Sequence, residues 1–189
     1  MLIYVHGFNS SPASHKAQLL KQRLEEMGRG GEFSCPALPD RPARAIGLLE
    51  LALRHTTPDQ VTLVGSSLGG YYATYLAEQF GVRAVLVNPA IKPYEGLRAF
   101  LGPQRNLYSG QVYELTEQHL DELRALEVDR LTRGERYYLM VTTGDELLDY
   151  RVAVRKYAGA KQLVVQGSDH GFGDFAYHLD SVLDFAGIR

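Results

Sequence analysis

Hydrophobic residues occur in short runs along the chain, separated by stretches in which they recur at helical spacing. Leu2-Ile3-Tyr4-Val5 is uninterrupted, and similar runs follow at 61–64, 84–87, 137–142 and 162–165. The run at 2–5 predicts a buried strand, and the later runs predict further strands. A weaker strand is expected at Glu32–Cys35, where Pro36 stops it.

Helical patterns fill the intervals between these runs. Ser14 precedes apolar positions that continue to Leu24, and further helices are expected at 46–53, 68–79, 151–157 and 175–185. Strands that alternate with helices are typical of an α/β fold with a mainly parallel sheet and helices on both faces. We expect about six strands in a single domain that spans residues 1–189.

A long segment after the strand ending near Val87 has no clear strand pattern. Residues 90–135 are rich in Tyr, Leu, Glu and Arg, with Pro and Gly near the start. Because a structureless loop of this length is uncommon in a compact domain, we expect a mostly helical insertion over one end of the sheet. It is either a cap or lid over a site, or an elaboration of the sheet edge.

Composition excludes several classes of protein. The 189 residues are 45% hydrophobic and 22% charged, which is typical of a globular chain. The net charge of −2 gives no strong electrostatic field that would attract nucleic acid or an anionic membrane. Cys35 is the only cysteine, so an internal disulfide is impossible, and we expect it to be an inert, buried thiol. The start lacks the features of a signal peptide, and the expected location is the cytoplasm.

A candidate nucleophile lies at the turn between a strand and a helix. Gly65-Ser66-Ser67-Leu68-Gly69 follows the run 61–64 and opens the next helix. In this G-x-S-x-G arrangement the glycines at 65 and 69 avoid a steric clash around a strained Ser67. A purely structural turn is the alternative, and Ser66 is the rival hydroxyl. The sequence does not match a Walker A or dinucleotide-binding loop.

The base that would activate Ser67 is expected late in the chain. His170 follows the last predicted strand, in Gly167-Ser168-Asp169-His170-Gly171, and fits the order nucleophile, acid, base of α/β hydrolases. The remaining histidines precede the nucleophile, or lie in the insertion or the final helix: His6, His15, His55, His119 and His178.

The acid is expected after the strand 137–142. Asp145 comes first in Gly144-Asp145-Glu146 and follows a glycine that permits a tight turn. Glu146 and Asp149 are close rivals, of which one is expected to cap the next helix. Asp169 is too near His170 in sequence to orient its ring easily.

Backbone N–H groups are the expected oxyanion donors. Leu68 begins the helix after the nucleophile, and Phe8 lies in the loop His6-Gly7-Phe8 after the first strand. The His6 side chain is expected to be structural. Five tyrosines near the turn or in the insertion either line an acyl pocket or pack in the core: Tyr71, Tyr72, Tyr94, Tyr108 and Tyr113.

With these residues in place, the chain resembles the YqiA-like esterases, a branch of the α/β hydrolases. The resemblance spans nearly the whole chain, through the segments YVHGFNSSP, VGSSLGGYYATYLAE, VNPAIKPYE, YSGQVYEL, TGDELLDYRVAV and GSDHGF. It implies a compact α/β-hydrolase fold, in which the first strand already leads into the oxyanion loop. It carries catalytic roles over to Ser67, Asp145 and His170 and implies neither a cofactor nor a metal.

The function implied by the resemblance is that of a serine esterase acting on acyl esters. Acyl-CoA thioesterase activity, a non-catalytic binding module and, more weakly, peptidase activity are the alternatives. The expected partner is a small acyl ester or thioester, with no nucleic acid or membrane, for a monomer or small homo-oligomer.

Overall fold

The structure, a computed structural model, describes residues 1–188. It confirms the predicted α/β architecture: six strands form one sheet, and every neighbouring pair is parallel. These strands are β1 (Leu2–Val5), β2 (Phe33–Ser34), β3 (Thr62–Ser66), β4 (Arg83–Val87), β7 (Tyr137–Thr142) and β8 (Lys161–Val165). Their order across the sheet is β2-β1-β3-β4-β7-β8, so the loops after β1 and β3 start side by side.

Helices cover both faces of the sheet because alternate residues of each strand point to opposite sides. Ile3 and Val5 belong to one buried cluster, whereas Leu2 and Tyr4 belong to the other. The main helices are α1 (His15–Glu26), α2 (Pro42–Leu53), α3 (Leu68–Phe80), α6 (Tyr150–Lys156) and α7 (Leu179–Phe185). Helices α2, α3 and α6 contribute to the first cluster, and α1 and α7 contribute to the second.

The insertion between β4 and β7 contains a β-hairpin that the sequence pattern did not predict. Its elements are α4 (Pro93–Gly96), a 3₁₀ turn (Leu97–Phe100), β5 (Gly102–Arg105), β6 (Val112–Leu115) and α5 (Glu117–Arg124). The expectation of a mostly helical segment was therefore only partly right. Strands β5 and β6 pair antiparallel with each other and not with the main sheet. Gly102 and Pro103 interrupt the alternation by which a strand is recognised.

The last helical segment of the chain also differs in detail from the helix that the sequence predicts. The helix expected over 175–185 is a 3₁₀ segment (Gly173–His178) followed by α7. Phe172 and Phe175 are both fully buried and meet edge to face at 6.0 Å, and a three-residue turn suits this spacing. Among residues 1–188, none of the helices has the length and apolar character needed to cross a membrane.

Candidate active site

Ser67 lies where β3 turns sharply into α3. Its backbone has φ 55° and ψ −120°, a conformation that L-residues rarely adopt. A β-carbon on Gly69 would lie 1.9 Å from the Val5 carbonyl oxygen, and one on Gly65 would lie 2.3 Å from the Gly69 carbonyl oxygen. The turn therefore requires glycine two positions before and two positions after Ser67.

The structure brings Ser67, His170 and Asp145 into one hydrogen-bonded chain. Ser67 Oγ is 3.0 Å from His170 Nε2, and His170 Nδ1 is 2.8 Å from Asp145 Oδ2. Because a carboxylate only accepts hydrogen bonds, Nδ1 carries a proton, which leaves Nε2 of the neutral ring to accept from the Ser67 hydroxyl. This geometry suits removal of the Ser67 proton by His170.

Asp145 is held as a buried carboxylate. Its side chain is 2% exposed, and its Oδ1 accepts from the backbone N–H groups of Leu147 at 2.9 Å and Leu148 at 2.8 Å. Burial acts to raise the pKa of this carboxyl, but the hydrogen bonds from His170 and from the two backbone N–H groups outweigh it, so that the pKa lies below its ordinary value. The carboxylate is thus ionised and fixed in orientation at neutral pH.

The rival acids have other roles. Glu146 Oε2 accepts from the backbone N–H of His170 at 3.0 Å, so this carboxylate supports the loop and does not contact the imidazole. Asp149 caps α6 by accepting from the backbone N–H of Arg151 at 3.0 Å. Asp169 forms a hydrogen bond through its backbone: its carbonyl oxygen accepts from the Thr142 hydroxyl at 2.9 Å. Within residues 1–188, His170 is the histidine that hydrogen-bonds to Ser67.

The two expected oxyanion donors lie beside the turn. A β-carbon on Gly7 would be 3.3 Å from Ser67 Cβ and 3.9 Å from the Leu68 nitrogen, so the loop after β1 touches the start of α3. In the described part of the chain, neither the Phe8 nor the Leu68 backbone N–H has a protein acceptor. Two unpaired N–H groups next to the Ser67 hydroxyl are an arrangement that suits a developing oxyanion.

His6 is structural. Its Nε2 accepts from the backbone N–H of Leu38 at 3.0 Å, and its Nδ1 is 3.2 Å from the Gly7 carbonyl oxygen. Burial lowers the pKa of this imidazole, so the ring is neutral. His6 therefore ties the loop that precedes α2 to the oxyanion loop.

Asn88 supports the loop that carries His170, and sequence analysis did not single it out. It follows β4 directly, is 2% exposed and has φ 41°. Its Nδ2 donates to the carbonyl oxygens of Asp169 at 3.3 Å and His170 at 3.2 Å, and its Oδ1 accepts from the Thr142 backbone N–H at 2.9 Å. A polar residue directly after a buried strand was the signal available in the sequence.

Lys16 supports the same loop from α1. Its Nζ donates to the Gly171 carbonyl oxygen at 2.6 Å, across 155 positions of sequence. Burial lowers the pKa of this ammonium group, and the negative charges of Asp169 and Asp145 act in the opposite direction. Lys16 therefore brings a positive charge close to the acid of the hydrogen-bonded chain.

The hairpin β5–β6 packs against the oxyanion loop. The backbone N–H of Leu107 donates to the Asn9 carbonyl oxygen at 3.0 Å, and Asn106 Nδ2 donates to the Ser10 carbonyl oxygen at 2.8 Å. The Asn9 side chain donates to Gln104 Oε1 at 3.2 Å. The insertion thus braces the loop that carries the Phe8 N–H.

Of the five tyrosines proposed from sequence, Tyr72 and Tyr113 line a small cavity beside Phe8 and Leu68. The others lie elsewhere: the Tyr71 hydroxyl donates to the Leu123 carbonyl oxygen, the Tyr94 hydroxyl donates to Glu127, and Tyr108 is half exposed. Residues 1–188 contain no cluster of three or more His, Cys, Asp or Glu side chains arranged to hold a metal ion.

Sequence comparison identifies relatives that match almost the whole chain. A family model described as "Uncharacterised protein family (UPF0227)" matches residues 1–187. A UPF0227 protein of Pectobacterium atrosepticum is 25% identical over 188 residues, which cover 98% of both chains. A UPF0227 protein of Pectobacterium carotovorum is 24% identical over the same share of each chain.

Comparison with solved structures establishes the fold. A putative hydrolase from Agrobacterium vitis superposes with a TM-score of 0.71 at 17% identity, over 98% of this chain and 87% of that one. The mouse alpha/beta hydrolase domain-containing protein 10 gives 0.71 at 14% identity, over 97% and 89%. An esterase domain from Rhodothermus marinus gives 0.70 at 17% identity, over 98% and 85%. The α/β-hydrolase fold expected from the sequence is thereby confirmed.

Proposed function

The chain belongs to the UPF0227 family, which is the YqiA-like family that its motifs resemble. From the geometry of its site, we propose that it is a serine esterase that hydrolyses acyl esters. The observation that carries the proposal is the continuous hydrogen-bonded chain from Ser67 through His170 to Asp145, with distances of 3.0 and 2.8 Å. A binding module that merely kept the scaffold would have no need of this geometry together with a strained backbone at Ser67.

The reaction follows from the positions of these groups. His170 Nε2 accepts the hydroxyl proton while Ser67 Oγ attacks the ester carbonyl carbon. Asp145 keeps the imidazole in the required tautomer and stabilises the imidazolium that forms. The oxygen of the tetrahedral intermediate accepts hydrogen bonds from the Phe8 and Leu68 N–H groups.

The intermediate collapses when His170 passes the proton to the departing alcohol, which leaves an acyl group on Ser67. Water then enters, His170 takes a proton from it, and the resulting hydroxide attacks the acyl carbon. His170 returns that proton to Ser67 Oγ as the acid leaves. Thioesters are processed by the same steps with a thiol as leaving group.

Mass labelling with a fluorophosphonate tests the proposal. The unmodified protein is expected to gain one adduct, mapped to Ser67, and the Ser67→Ala variant none. Ser66→Ala is the matched control and is expected to label fully, because the Ser66 hydroxyl is the rival on the same turn. A folded protein that stays unlabelled, or a label on Ser66, contradicts the proposal.

Substrate class is tested by steady-state kinetics on oxygen esters and thioesters with the same acyl group. We expect turnover of the esters, abolished in Ser67→Ala. A kcat/KM that favours the thioesters would instead assign the site to thioester hydrolysis.

A further inference from the structure

Residues 87–90, which run from the last position of β4 into the loop beyond it, contact the backbone of Ser67. The Ser67 N–H donates to the Val87 carbonyl oxygen at 3.0 Å, and the Ala90 N–H donates to the Ser67 carbonyl oxygen at 3.1 Å. Ser67 has a strained φ of 55°, and such a conformation persists where its surroundings hold it in place. One short segment therefore holds this residue through both its N–H and its carbonyl group.

The side chain of Asn88, in the middle of that segment, reaches the loop that carries His170. Its Nδ2 donates to the carbonyl oxygens of His170 at 3.2 Å and Asp169 at 3.3 Å, and to the Thr142 hydroxyl oxygen at 3.1 Å. Thr142 ends β7, and the two carbonyl groups follow β8. The amide thus joins the carboxyl ends of β4, β7 and β8, which are neighbours in the sheet.

The Asn88 amide has one orientation in this network. Its Oδ1 accepts from the Thr142 backbone N–H at 2.9 Å, whereas its Nδ2 faces carbonyl oxygens, which can only accept. Asn88 and Thr142 are both buried, so solvent is poorly placed to replace a lost hydrogen bond. The φ of 41° at Asn88 is a left-handed conformation that asparagine tolerates better than most residues.

Two further side chains hold the loop that carries His170, but from other parts of the fold. Lys16 donates to the Gly171 carbonyl oxygen from α1, and Glu146 accepts from the His170 N–H from the loop after β7. Neither lies in the segment that bonds to the Ser67 backbone. Asn88 is therefore placed to link the proposed nucleophile and its base through a single short stretch of chain.

We propose that Asn88 is a positioning residue, which sets the separation of the Ser67 hydroxyl and the His170 imidazole by tying both backbones to one segment. The inference rests on the proposed esterase function and adds a residue to its machinery. The distance at stake is the 3.0 Å between Ser67 Oγ and His170 Nε2. Since a misplacement of about 1 Å can cost about 10²-fold in rate, this link affects catalysis although Asn88 acts only through His170.

Asn88→Gly tests the link, because glycine accepts a positive φ and removes only the amide. We expect kcat for p-nitrophenyl butanoate to fall roughly 10- to 100-fold with KM little changed. The rate constant for fluorophosphonate labelling of Ser67 should fall in parallel, because that reaction also needs His170 as base. Tyr138→Phe is the control: it removes a buried hydroxyl that lies 3.0 Å from Ser181 Oγ, at the other end of β7 from Thr142. It should lower the urea midpoint of unfolding but leave kcat unchanged.

A change of leaving group separates positioning of His170 from a general loss of structure. An alkoxide needs a proton from His170 as it departs, whereas p-nitrophenolate leaves without one. In Asn88→Gly, kcat/KM should therefore fall further for ethyl butanoate than for p-nitrophenyl butanoate. A partly unfolded population would lower both values by the same factor.

Variants at Thr142 provide a second test that keeps the backbone at position 88 intact. Thr142→Val removes the hydroxyl that accepts from Asn88 and donates to the Asp169 carbonyl oxygen at 2.9 Å, and it is expected to lower kcat. Thr142→Ser keeps that hydroxyl and should retain most of the activity. This pair decides the question if Asn88→Gly does not fold.

Three results would overturn the inference. The first is an Asn88→Gly protein whose urea midpoint falls while kcat and the labelling rate stay unchanged, and the second is an equal loss for the two esters. The third is a Thr142→Ser protein as impaired as Thr142→Val. All three leave the esterase function intact. If the unmodified protein neither hydrolyses an ester nor labels at Ser67, the proposed function fails and this inference fails with it.

Discussion

The Tyr113 hydroxyl donates a hydrogen bond to Asn9 Oδ1 at 2.8 Å, although the two residues lie 104 positions apart. Asn9 follows Phe8 directly and has φ 52°. Its carbonyl oxygen and its side-chain amide also bind the hairpin, through Leu107 and Gln104. The insertion therefore fixes the backbone next to a proposed oxyanion donor.

Tyr113→Phe is expected to lower kcat for an ester about two- to tenfold, because the loss of one neutral hydrogen bond lets the Phe8 N–H depart from its position. The affinity for a boronic acid, which forms a tetrahedral adduct, should fall in parallel. Tyr108→Phe is the control, since Tyr108 lies half exposed near the hairpin tip. Equal kinetics for the two variants would show that Tyr113 does not act through Asn9.

Asp145→Asn is expected to reduce kcat by roughly 10⁴-fold, because an amide in this place favours the wrong imidazole tautomer. Asp149→Asn should leave kcat unchanged, since asparagine caps a helix as well as aspartate does. Glu146→Gln should cost far less than Asp145→Asn, because an amide oxygen still accepts from the His170 N–H. Single-turnover rates on all three variants check the assignment, and a larger loss at Glu146 would contradict it.

The stability of the protein is expected to depend on pH through Asp145. Its pKa in the folded chain lies below the ordinary value, so the folded state stabilises the ionised carboxylate relative to the unfolded state. This contribution is fully present above the ordinary carboxyl pKa of about 3.9 and is lost as the pH falls through the lower folded value. Urea unfolding at several pH values should show the gap between wild type and Asp145→Asn narrowing below about pH 4. A gap that widens in acid would contradict the direction.

Lys16→Met is expected to lower kcat several-fold, because the His170 loop loses its hydrogen bond to α1 while the aliphatic packing is largely kept. Lys21→Met is the matched control on the same helix, where the half-exposed lysine pairs, among residues 1–188, with Glu25. Measuring kcat and the unfolding midpoint for both variants separates positioning of the loop from stability. If the midpoint falls but kcat does not, Lys16 serves the fold alone.

Gly69→Ala and Gly47→Ala are expected to have opposite effects on stability. A β-carbon at 69 would lie 1.9 Å from the Val5 carbonyl oxygen, so the β1–α3 packing must break, whereas a β-carbon at 47 would meet, among residues 1–188, no atom within 4 Å beyond its chain neighbours and the backbone of its own helix. In the interior of α2, alanine should add roughly 0.5–1 kcal/mol to the free energy of unfolding. Denaturant titration of both variants checks the signs, and a stable Gly69→Ala would contradict the described turn.

The sequence predicted the main sheet well because four of its strands, β1, β3, β4 and β7, are short and almost entirely buried runs. β3 and β7 are the clearest examples, since both are buried from end to end and each leads into a chemically distinctive loop. The placement of Ser67 and His170 also followed from local signals, namely a glycine-flanked serine and a histidine after the last strand.

The sequence pattern could not predict the features that depend on contacts between distant segments. Asp145, Glu146 and Asp149 are alike in sequence context, and only the folded loop decides which one faces His170. Nothing in the sequence around Asn9 or Tyr113 indicates that their side chains form a hydrogen bond with each other. The sequence pattern missed the hairpin of β5 and β6 because its strands show no regular alternation of apolar and polar residues. Part of what holds the hairpin is a contact with the loop after β1, the hydrogen bond from Tyr113 to Asn9.

The all-parallel sheet described above also bears on how the chain folds. Parallel neighbours cannot be joined by a tight turn, so each pairing in this sheet closes a long loop of chain before it gains any contact. The Ser67–His170 contact spans 103 residues and lies across several such closures. Folds dominated by non-local pairings form slowly. Recovery of serine labelling after dilution from denaturant should consequently be among the last events of refolding, behind the return of helical circular dichroism.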